Sequence, residues 1–112
     1  MIKVTIYENK HHEITGFDAV GHAGYADAGS DIVCAATSTL VINTVNSIEK
    51  LTDQRFTLDV DDRDDSNLIA FRMEGNNDRD AVLLLNSMIL GLQDMEDSEE
   101  YRPYIDIIFE EV

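Results

Sequence analysis

Hydrophobic and polar residues alternate in the first stretch of the chain, as they do in a half-buried β-strand. Ile2, Val4 and Ile6 share one parity, and Lys3, Thr5 and Tyr7 share the other. A second run covers residues 14–20 but is less regular, because Ile14, Phe17 and Val20 do not share parity. A bulge at Gly16 would restore the register of this second strand.

A loop and a long helix are predicted next. Residues 21–30 contain three glycines and no branched aliphatic side chain, which is typical of a loop. Ser30 or Asp31 then supplies the N-cap of a helix that runs to about Thr52. Apolar residues recur along this helix in steps of three and four: Val33, Ala36, Leu40, Val41, Val45, Ile48 and Leu51. This spacing gives one apolar face, and packing of that face must hold the helix.

The rest of the chain predicts two more strands, a second helix and a last strand. Alternation places strands at residues 56–60 and 68–73, joined by a solvated hairpin turn. The second helix begins near Asp78, and its buried stripe is Ala81, Leu85, Met88, Leu92 and Met95. An acidic segment without a clear pattern follows. The inward-facing residues of the last strand are Ile105, Ile107 and Phe109.

The predicted element order is therefore ββαββαβ. Two helices on one face of a mainly antiparallel sheet would bury both apolar stripes, which makes the fold a two-layer sandwich of the α+β class. The 112 residues suit one domain, and no repeat or boundary interrupts them. The pattern does not determine the order of the strands in the sheet.

The charge balance limits the partners. The chain has 23 acidic and 8 basic residues, a net charge of −15, and no cluster of Lys or Arg. Direct binding to nucleic acid or to an anionic membrane is therefore not expected. The longest uninterrupted apolar runs are five residues, and the N-terminus lacks a signal peptide's apolar core, so no bilayer span and a cytoplasmic location are expected.

The single cysteine is the main candidate for chemistry. Being alone, Cys34 excludes an internal disulfide, a Cys-x-x-Cys pair and a multi-cysteine zinc site. It is predicted in the first turn of the long helix, where unpaired backbone N–H groups favour a thiolate. A loop folded back over the helix start would bring His22 onto the sulfur and create a nucleophile with an adjacent base. Spacing alone also allows a structural cysteine and an unrelated histidine.

These residues carry a resemblance to a known family. The segment GHAGYADAGSDIVCAATS joins a Gly-His-Ala loop to a cysteine at a helix start. It closely resembles the signature of the Prp family, the ribosomal-processing cysteine proteases of bacteria, and the length and element order of the chain fit that family. The resemblance implies a thiol protease domain over residues 1–112, with Cys34 as the nucleophile. It further implies His22 as the base that later protonates the leaving amine, without a metal or organic cofactor.

The resemblance also implies a substrate. Members of the family remove a short N-terminal extension from a large-subunit ribosomal protein, cutting after an aromatic residue in a hydrophobic stretch, and ribosome assembly depends on the cut. They act as homodimers. Two other interpretations of the sequence remain. One is a non-catalytic acidic adaptor that holds a basic ribosomal protein, with a structural Cys34, and the other is a thiol-dependent acyltransferase, for which no acceptor site is visible.

Two further residues are candidates for supporting roles. Asp31 would orient His22, cap the helix, or do both. Ser38 lies one helical turn after Cys34 on the same face. Its hydroxyl would donate to the substrate carbonyl or to His22, or would bond back to the carbonyl of residue 34. Backbone N–H groups at the helix start, including that of Cys34, are the expected oxyanion hole.

The loop before the helix would contribute to substrate binding. Gly21, Gly24 and Gly29 would let it close over the substrate, or would serve only as turn residues. Tyr25 is a candidate wall of the substrate pocket.

No metal site is predicted. His11 and His12 are expected to be solvent-exposed in a turn, because a zinc site would need Cys34 and His22 as further ligands at a spacing that matches no usual zinc pattern. The acidic run at residues 59–65 lacks the central glycine and terminal glutamate of a calcium-binding loop. Sixteen of the 23 acidic residues lie in residues 59–112, where they keep the surface solvated and would steer a basic partner.

Overall fold

The computed structural model describes residues 1–22, 28–61 and 66–112, with only the backbone described at 22, 28–30, 66 and 67. The predicted order ββαββαβ is confirmed. The elements are β1 (Ile2–Glu8), β2 (Ile14–His22), α1 (Ala28–Leu51), β3 (Arg55–Asp61), β4 (Ser66–Glu74), α2 (Arg79–Asp97), a short 3-10 helix (Arg102–Tyr104) and β5 (Ile105–Glu111).

The strands form one sheet in the order β3-β4-β2-β1-β5. β5 runs parallel to β1, and the other neighbours are antiparallel. The sheet and the helices share one core, whose largest fully buried side chains are Phe17, Phe71, Ile6, Ile48, Leu85, Met88, Leu92, Val4, Val33 and Val41. This core confirms the predicted two-layer α+β arrangement.

A β-bulge sets the register of β2. Tyr7 pairs with Gly16, whereas the next residue of β1 pairs with Ile14, so Thr15 is the extra residue. The predicted bulge is therefore present, with Thr15 rather than Gly16 as its extra residue. It puts Ile14 and Phe17 on the buried face but not Val20, since residues 17 and 20 differ in parity and β2 has no second bulge between them. Ala19 is buried in place of Val20.

The start of α1 differs from the prediction. The helix begins at Ala28, so an N-cap at Ser30 or Asp31 is wrong, and Asp31 is the fourth helical residue. The stripe also differs, because Ala36 and Leu51 are exposed. Two threonines, Thr37 and Thr44, are buried among the aliphatic residues, and a pattern based on apolar residues does not find them.

The start of α2 is as predicted. Asp78 is the N-cap, and its carboxylate accepts from the backbone N–H groups of Asp80 at 2.7 Å and Ala81 at 3.3 Å. The buried residues of α2 are Ala81, Leu85, Met88, Ile89 and Leu92. The acidic segment after α2, predicted to be without structure, contains the 3-10 helix.

The helices do not cover the whole sheet. Leu58 and Val60 share the face of the buried Phe71 across β3 and β4, yet they are 45% and 60% exposed. Phe109 pairs with the buried Ile6 but is 46% exposed. Phe109 therefore lies on the predicted face of the sheet, but its predicted burial is wrong. Alternation along a strand determines which face a side chain is on, whereas the elements packed on that face determine whether it is buried.

Part of α1 is long and apolar enough to cross a membrane, by length and composition only. The sequence analysis counted only uninterrupted apolar runs, so it did not single out this helix. The core helix of a globular protein passes the same test, and α1 places Val33, Val41 and Ile48 in the core against the sheet and α2.

Candidate active site

A cleft lies between α1 and the sheet. It encloses about 40 Å³, against the roughly 10–15 Å³ that one water molecule needs. Its lining residues come from α1 (Cys34, Thr37, Ser38, Val41), β1 (Ile2), β2 (Ala19, Val20, Gly21) and β4 (Ile69). All of these side chains are uncharged, so the described part of the lining is apolar apart from one thiol and two hydroxyls.

Cys34 is half-buried in this cleft and packs against the core. Because α1 begins at Ala28, Cys34 is its seventh residue and lies in the second turn. The four N–H groups that a helix start leaves unpaired belong to residues 28–31. The predicted position of Cys34 in the first turn is therefore wrong, and its own N–H is not one of the free donors expected to form an oxyanion hole.

His22 is the last residue of β2, and its backbone pairs with that of Ser66 in β4. The preceding residue, Gly21, lines the cleft together with Cys34. A Cβ atom at Gly21 would lie 2.9 Å from Cδ1 of Ile2, so the absence of a side chain keeps this part of the cleft open. The strand thus brings the main chain of His22 to the cleft, while its imidazole lies outside the described atoms.

The two supporting candidates occupy different environments. Ser38 is half-buried and lines the cleft one turn after Cys34, as the helical spacing predicted. Asp31 is exposed in the first turn of α1, where its negative charge interacts favourably with the positive end of the helix dipole.

Comparison with known proteins identifies the family. The family model described as cysteine protease Prp matches residues 1–106. The chain belongs to the Prp family of cysteine proteases. It is 35% identical over 105 residues to the ribosomal processing cysteine protease Prp of Staphylococcus aureus, covering 94% of this chain and 95% of that protein. It is 31% identical over 100 residues to the ribosomal processing cysteine protease Prp of Bacillus subtilis, covering 86% of this chain and 88% of that protein.

A solved structure of a Prp protease has the same fold as this chain. A crystal structure of Prp from S. aureus in complex with a covalently linked product peptide aligns with a TM-score of 0.81 and 34% identity. The alignment covers 98% of this chain and 100% of that one. This chain is therefore a cysteine protease with the Prp fold.

The loop predicted at residues 21–30 is shorter in the structure of this chain. Gly21 and His22 belong to β2, and Gly29 lies in the first turn of α1. Gly24 and Tyr25 lie outside the described residues, so the predicted closure of the loop and the pocket wall at Tyr25 stay predictions.

Sequence reasoning missed several residues of the cleft. Thr37 and Val41 follow Cys34 by three and seven residues, so helical spacing from the cysteine would have found them. No spacing in the sequence points from Cys34 to Ile2 or Ile69. These two residues reach the cleft because β1 and β4 lie on opposite sides of β2 in the sheet.

A charged network occupies the side of the sheet that faces away from the Prp cleft. Asp18 accepts hydrogen bonds from Tyr7 Oη and from Arg72 Nη1, each at 2.8 Å. The Arg72 guanidinium lies 4.3 Å from the centroid of the Tyr7 ring, a cation–π contact. The hydrogen bond to Asp18 raises the pKa of Tyr7, and the same carboxylate raises the pKa of Arg72. The network links β1, β2 and β4 on their open face.

The histidine pair lies in the turn between β1 and β2, where exposed side chains were predicted, and this is confirmed. His12 has a φ of 62°, and its Nδ1 lies 3.8 Å from a carboxylate oxygen of Glu8.

Proposed function

We propose that this protein removes the N-terminal extension of a bacterial large-subunit ribosomal protein and thereby serves ribosome assembly. The S. aureus and B. subtilis relatives are ribosomal processing proteases, which supports the ribosomal substrate. The product peptide linked covalently to the S. aureus protease supports a covalent intermediate. On this proposal residues 1–112 act as one protease domain in the cytoplasm, where a single free thiol stays reduced.

One observation carries the catalytic assignment. The same cleft is lined by Cys34 and by Gly21, the residue directly before His22. His22 first takes the proton of the Cys34 thiol, and the resulting thiolate attacks the scissile carbonyl. The C–N bond then breaks as His22 passes this proton to the leaving amine, and the acyl group stays on the sulfur as a thioester. Water then hydrolyses the thioester, with His22 as the base, and frees the carboxylate product. The balance of atoms requires only the peptide and one water molecule.

The neighbours of Cys34 have supporting roles in this proposal. Ser38 donates a hydrogen bond to the oxygen of the reacting carbonyl from one turn along the helix. Asp31 orients the His22 imidazole from the first turn of α1. The uncharged lining of the cleft favours an apolar substrate group over a charged one, because burial of apolar surface is favourable and burial of an unpaired charge is costly.

The acidic surface supports a basic substrate. Most of the acidic residues follow position 58, and many lie on exposed positions at the end of α2 and in β5. Among the described residues, none of these acidic side chains lines the cleft. Their field therefore raises the rate of encounter with a basic ribosomal protein and leaves the chemical step unchanged.

The protein also acts as a homodimer on this proposal. The β3 apolar surface, formed by Ile42, Leu58 and Val60, exposes 49%, 45% and 60% of these side chains. Contact between two copies would remove this surface from water. Sedimentation tests this dimer: Val60→Lys should be a monomer, whereas the wild type and Leu83→Lys, a similarly exposed position on α2, should be dimers. A monomer in both variants and in the wild type contradicts it.

The experiment that tests the function uses a peptide spanning the extension junction of the host's own ribosomal protein. Intact mass is measured after incubation with the wild type, Cys34→Ala and His22→Ala. A single cut after an aromatic residue by the wild type alone is expected. Cutting by Cys34→Ala contradicts the proposed nucleophile. Binding without a cut by the wild type contradicts the protease and favours the adaptor interpretation.

A further inference from the structure

The last strand, β5, forms one edge of the sheet. It pairs with β1 on one side, and no described strand pairs with it on the other. The N–H of Val112, directly after β5, donates to the carbonyl of Glu8 at 2.8 Å, so even-numbered residues turn their main-chain groups toward β1. Neighbouring residues of a strand turn these groups to opposite sides. The N–H and C=O groups of Ile107, Phe109 and Glu111 therefore point away from the sheet.

These outward groups form the β5 edge, and most of them have no partner within the described part of the chain. The N–H of Ile107 donates to a carboxylate oxygen of Glu96 in α2, at 2.8 Å. No described residue bonds to the outward groups of Phe109 or Glu111. Unpaired main-chain groups in a row are a template for another strand. The carboxylate of Glu96 blocks this template at Ile107 and leaves it open from Phe109 onward.

Apolar side chains flank the open part of the β5 edge on both faces of the sheet. On the helix side, Phe109 is 46% exposed although it pairs with the fully buried Ile6. On the other side, Ile108 is 38% exposed. A strand added along β5 would lie beside both side chains and remove part of their surface from water, which favours association.

The charge of the β5 edge determines which strand it would accept. Glu110 and Glu111 are exposed, and Glu111 pairs with Glu8 of β1. Neither Glu110 nor Glu111 has an ion-pair partner among the described residues. Two β5 strands placed side by side would bring these like charges together, which opposes a contact between two copies. A strand that carries Lys or Arg would bring opposite charges together instead.

We propose that the β5 edge binds an extended basic segment of a partner protein by adding it to the sheet as a further strand. Main-chain hydrogen bonds to Phe109 and Glu111 hold the segment, and side chains on its two faces select it. A basic residue lies beside Glu110, and an apolar residue packs on Phe109, so basic and apolar residues alternate along the segment. The β5 edge shares no described residue with the cleft, so this binding does not depend on the proposed function.

The first test measures the binding of a fluorescent peptide of alternating Lys and Val to the wild type by fluorescence anisotropy. In a strand, alternate residues share both a face and the direction of their N–H groups. Methylation of the main-chain nitrogen at every Lys, or at every Val, therefore removes the N–H groups along one edge of the peptide. One of these two methylated peptides is expected to lose at least about tenfold in affinity, and the other to stay close to the parent peptide.

Four variants test the position of the site. Glu111→Pro removes the outward N–H together with the charge, whereas Glu111→Ala removes the charge and keeps the N–H. The Kd of Glu111→Pro is expected to be at least about twofold higher than that of Glu111→Ala. Glu110→Gln should also raise Kd, whereas Asp94→Asn, which removes one charge from an exposed position of α2, should change it less. Melting curves show whether each variant is folded.

Several results would overturn the proposal. Equal losses with both methylated peptides would exclude strand addition, and equal Kd values for Glu111→Pro and Glu111→Ala would exclude this edge. No binding at about 1 mM peptide would exclude the partner, as would equal binding of a Lys-Lys-Val-Val repeat of the same composition. A wild-type dimer that becomes a monomer in Glu111→Pro would assign the β5 edge to a second copy of the chain.

Discussion

Among the described glycines, Gly16 is the position where a single methyl group should disturb the fold most. It is buried at the bulge of β2, and its backbone pairs with Arg72 of β4. A Cβ atom there would overlap the carbonyl oxygen of Phe71 and would lie 3.2 Å from the Cα of Arg72. Both are main-chain atoms of the neighbouring strand, so relief requires movement of the β2–β4 ladder. That ladder also places Gly21 at the cleft, directly before His22.

The expected cost of Gly16→Ala is about 1–3 kcal/mol, the range for overpacking of a well-packed interior. Urea unfolding followed by circular dichroism measures it. With a slope of about 1–3 kcal/mol per molar for a small domain, the midpoint should fall by roughly 1 M, while the slope itself should stay the same.

Gly91→Ala is the matched control. A Cβ atom at Gly91 would lie 2.8 Å from Cδ2 of Leu40, the far end of a flexible side chain that can turn away. Alanine also gains about 1 kcal/mol over glycine inside a helix such as α2. The control should therefore stay within about 1 kcal/mol of the wild type. A loss in Gly16→Ala no larger than that in Gly91→Ala would refute the role of close strand approach at the bulge.

Three further predictions concern the helix cap, the open face and the acidic surface. Asp78→Ala removes the N-cap of α2 and should cost about 1 kcal/mol in urea unfolding, whereas the exposed Asp94→Ala should cost nothing measurable. The pKa of Tyr7 is raised from 10.0 in the folded protein, so the folded state keeps the phenol proton to higher pH than the unfolded state does. Stability should then fall as the pH rises above about 10, and it should fall less in Tyr7→Phe; equal losses would contradict the assigned hydrogen bond. Cleavage of a basic substrate should slow as salt rises from about 0.05 to 0.5 M, whereas a peptide with its Lys and Arg replaced by Gln should lose that dependence. A salt effect of the same size on both peptides would contradict steering.

The local pattern of the sequence predicts much of this fold. Alternation of parity, the turn residues and the N-cap of Asp78 depend on neighbours a few residues apart, and the element order and the bulge follow from them. The start of α1 does not follow from such local patterns. Ala28, Gly29 and Ser30 look like loop residues, and a helix of modest propensity takes its limits from the surface it packs against.

The residues of the cleft also divide into those that the sequence predicts and those that it does not. The spacing of Cys34 and Ser38 predicts that they share a helical face, and the structure confirms it. Ile2 and Ile69 reach the cleft only because β1 and β4 flank β2, which a one-dimensional pattern does not determine. Thr37 does not stand out in the sequence, because a polar residue on a buried stripe looks like an interruption of the apolar pattern.

The most direct test of the account measures the reaction of Cys34 with iodoacetamide. Cys34 is the only cysteine in the chain, so the gain in intact mass reports on this residue alone. If His22 activates the thiol, the folded wild type should react at neutral pH at least about tenfold faster than His22→Ala, with the exposed His11→Ala matching the wild type. Equal rates in the wild type and His22→Ala, or a thiol that reacts only on unfolding, would contradict the pairing of these two residues.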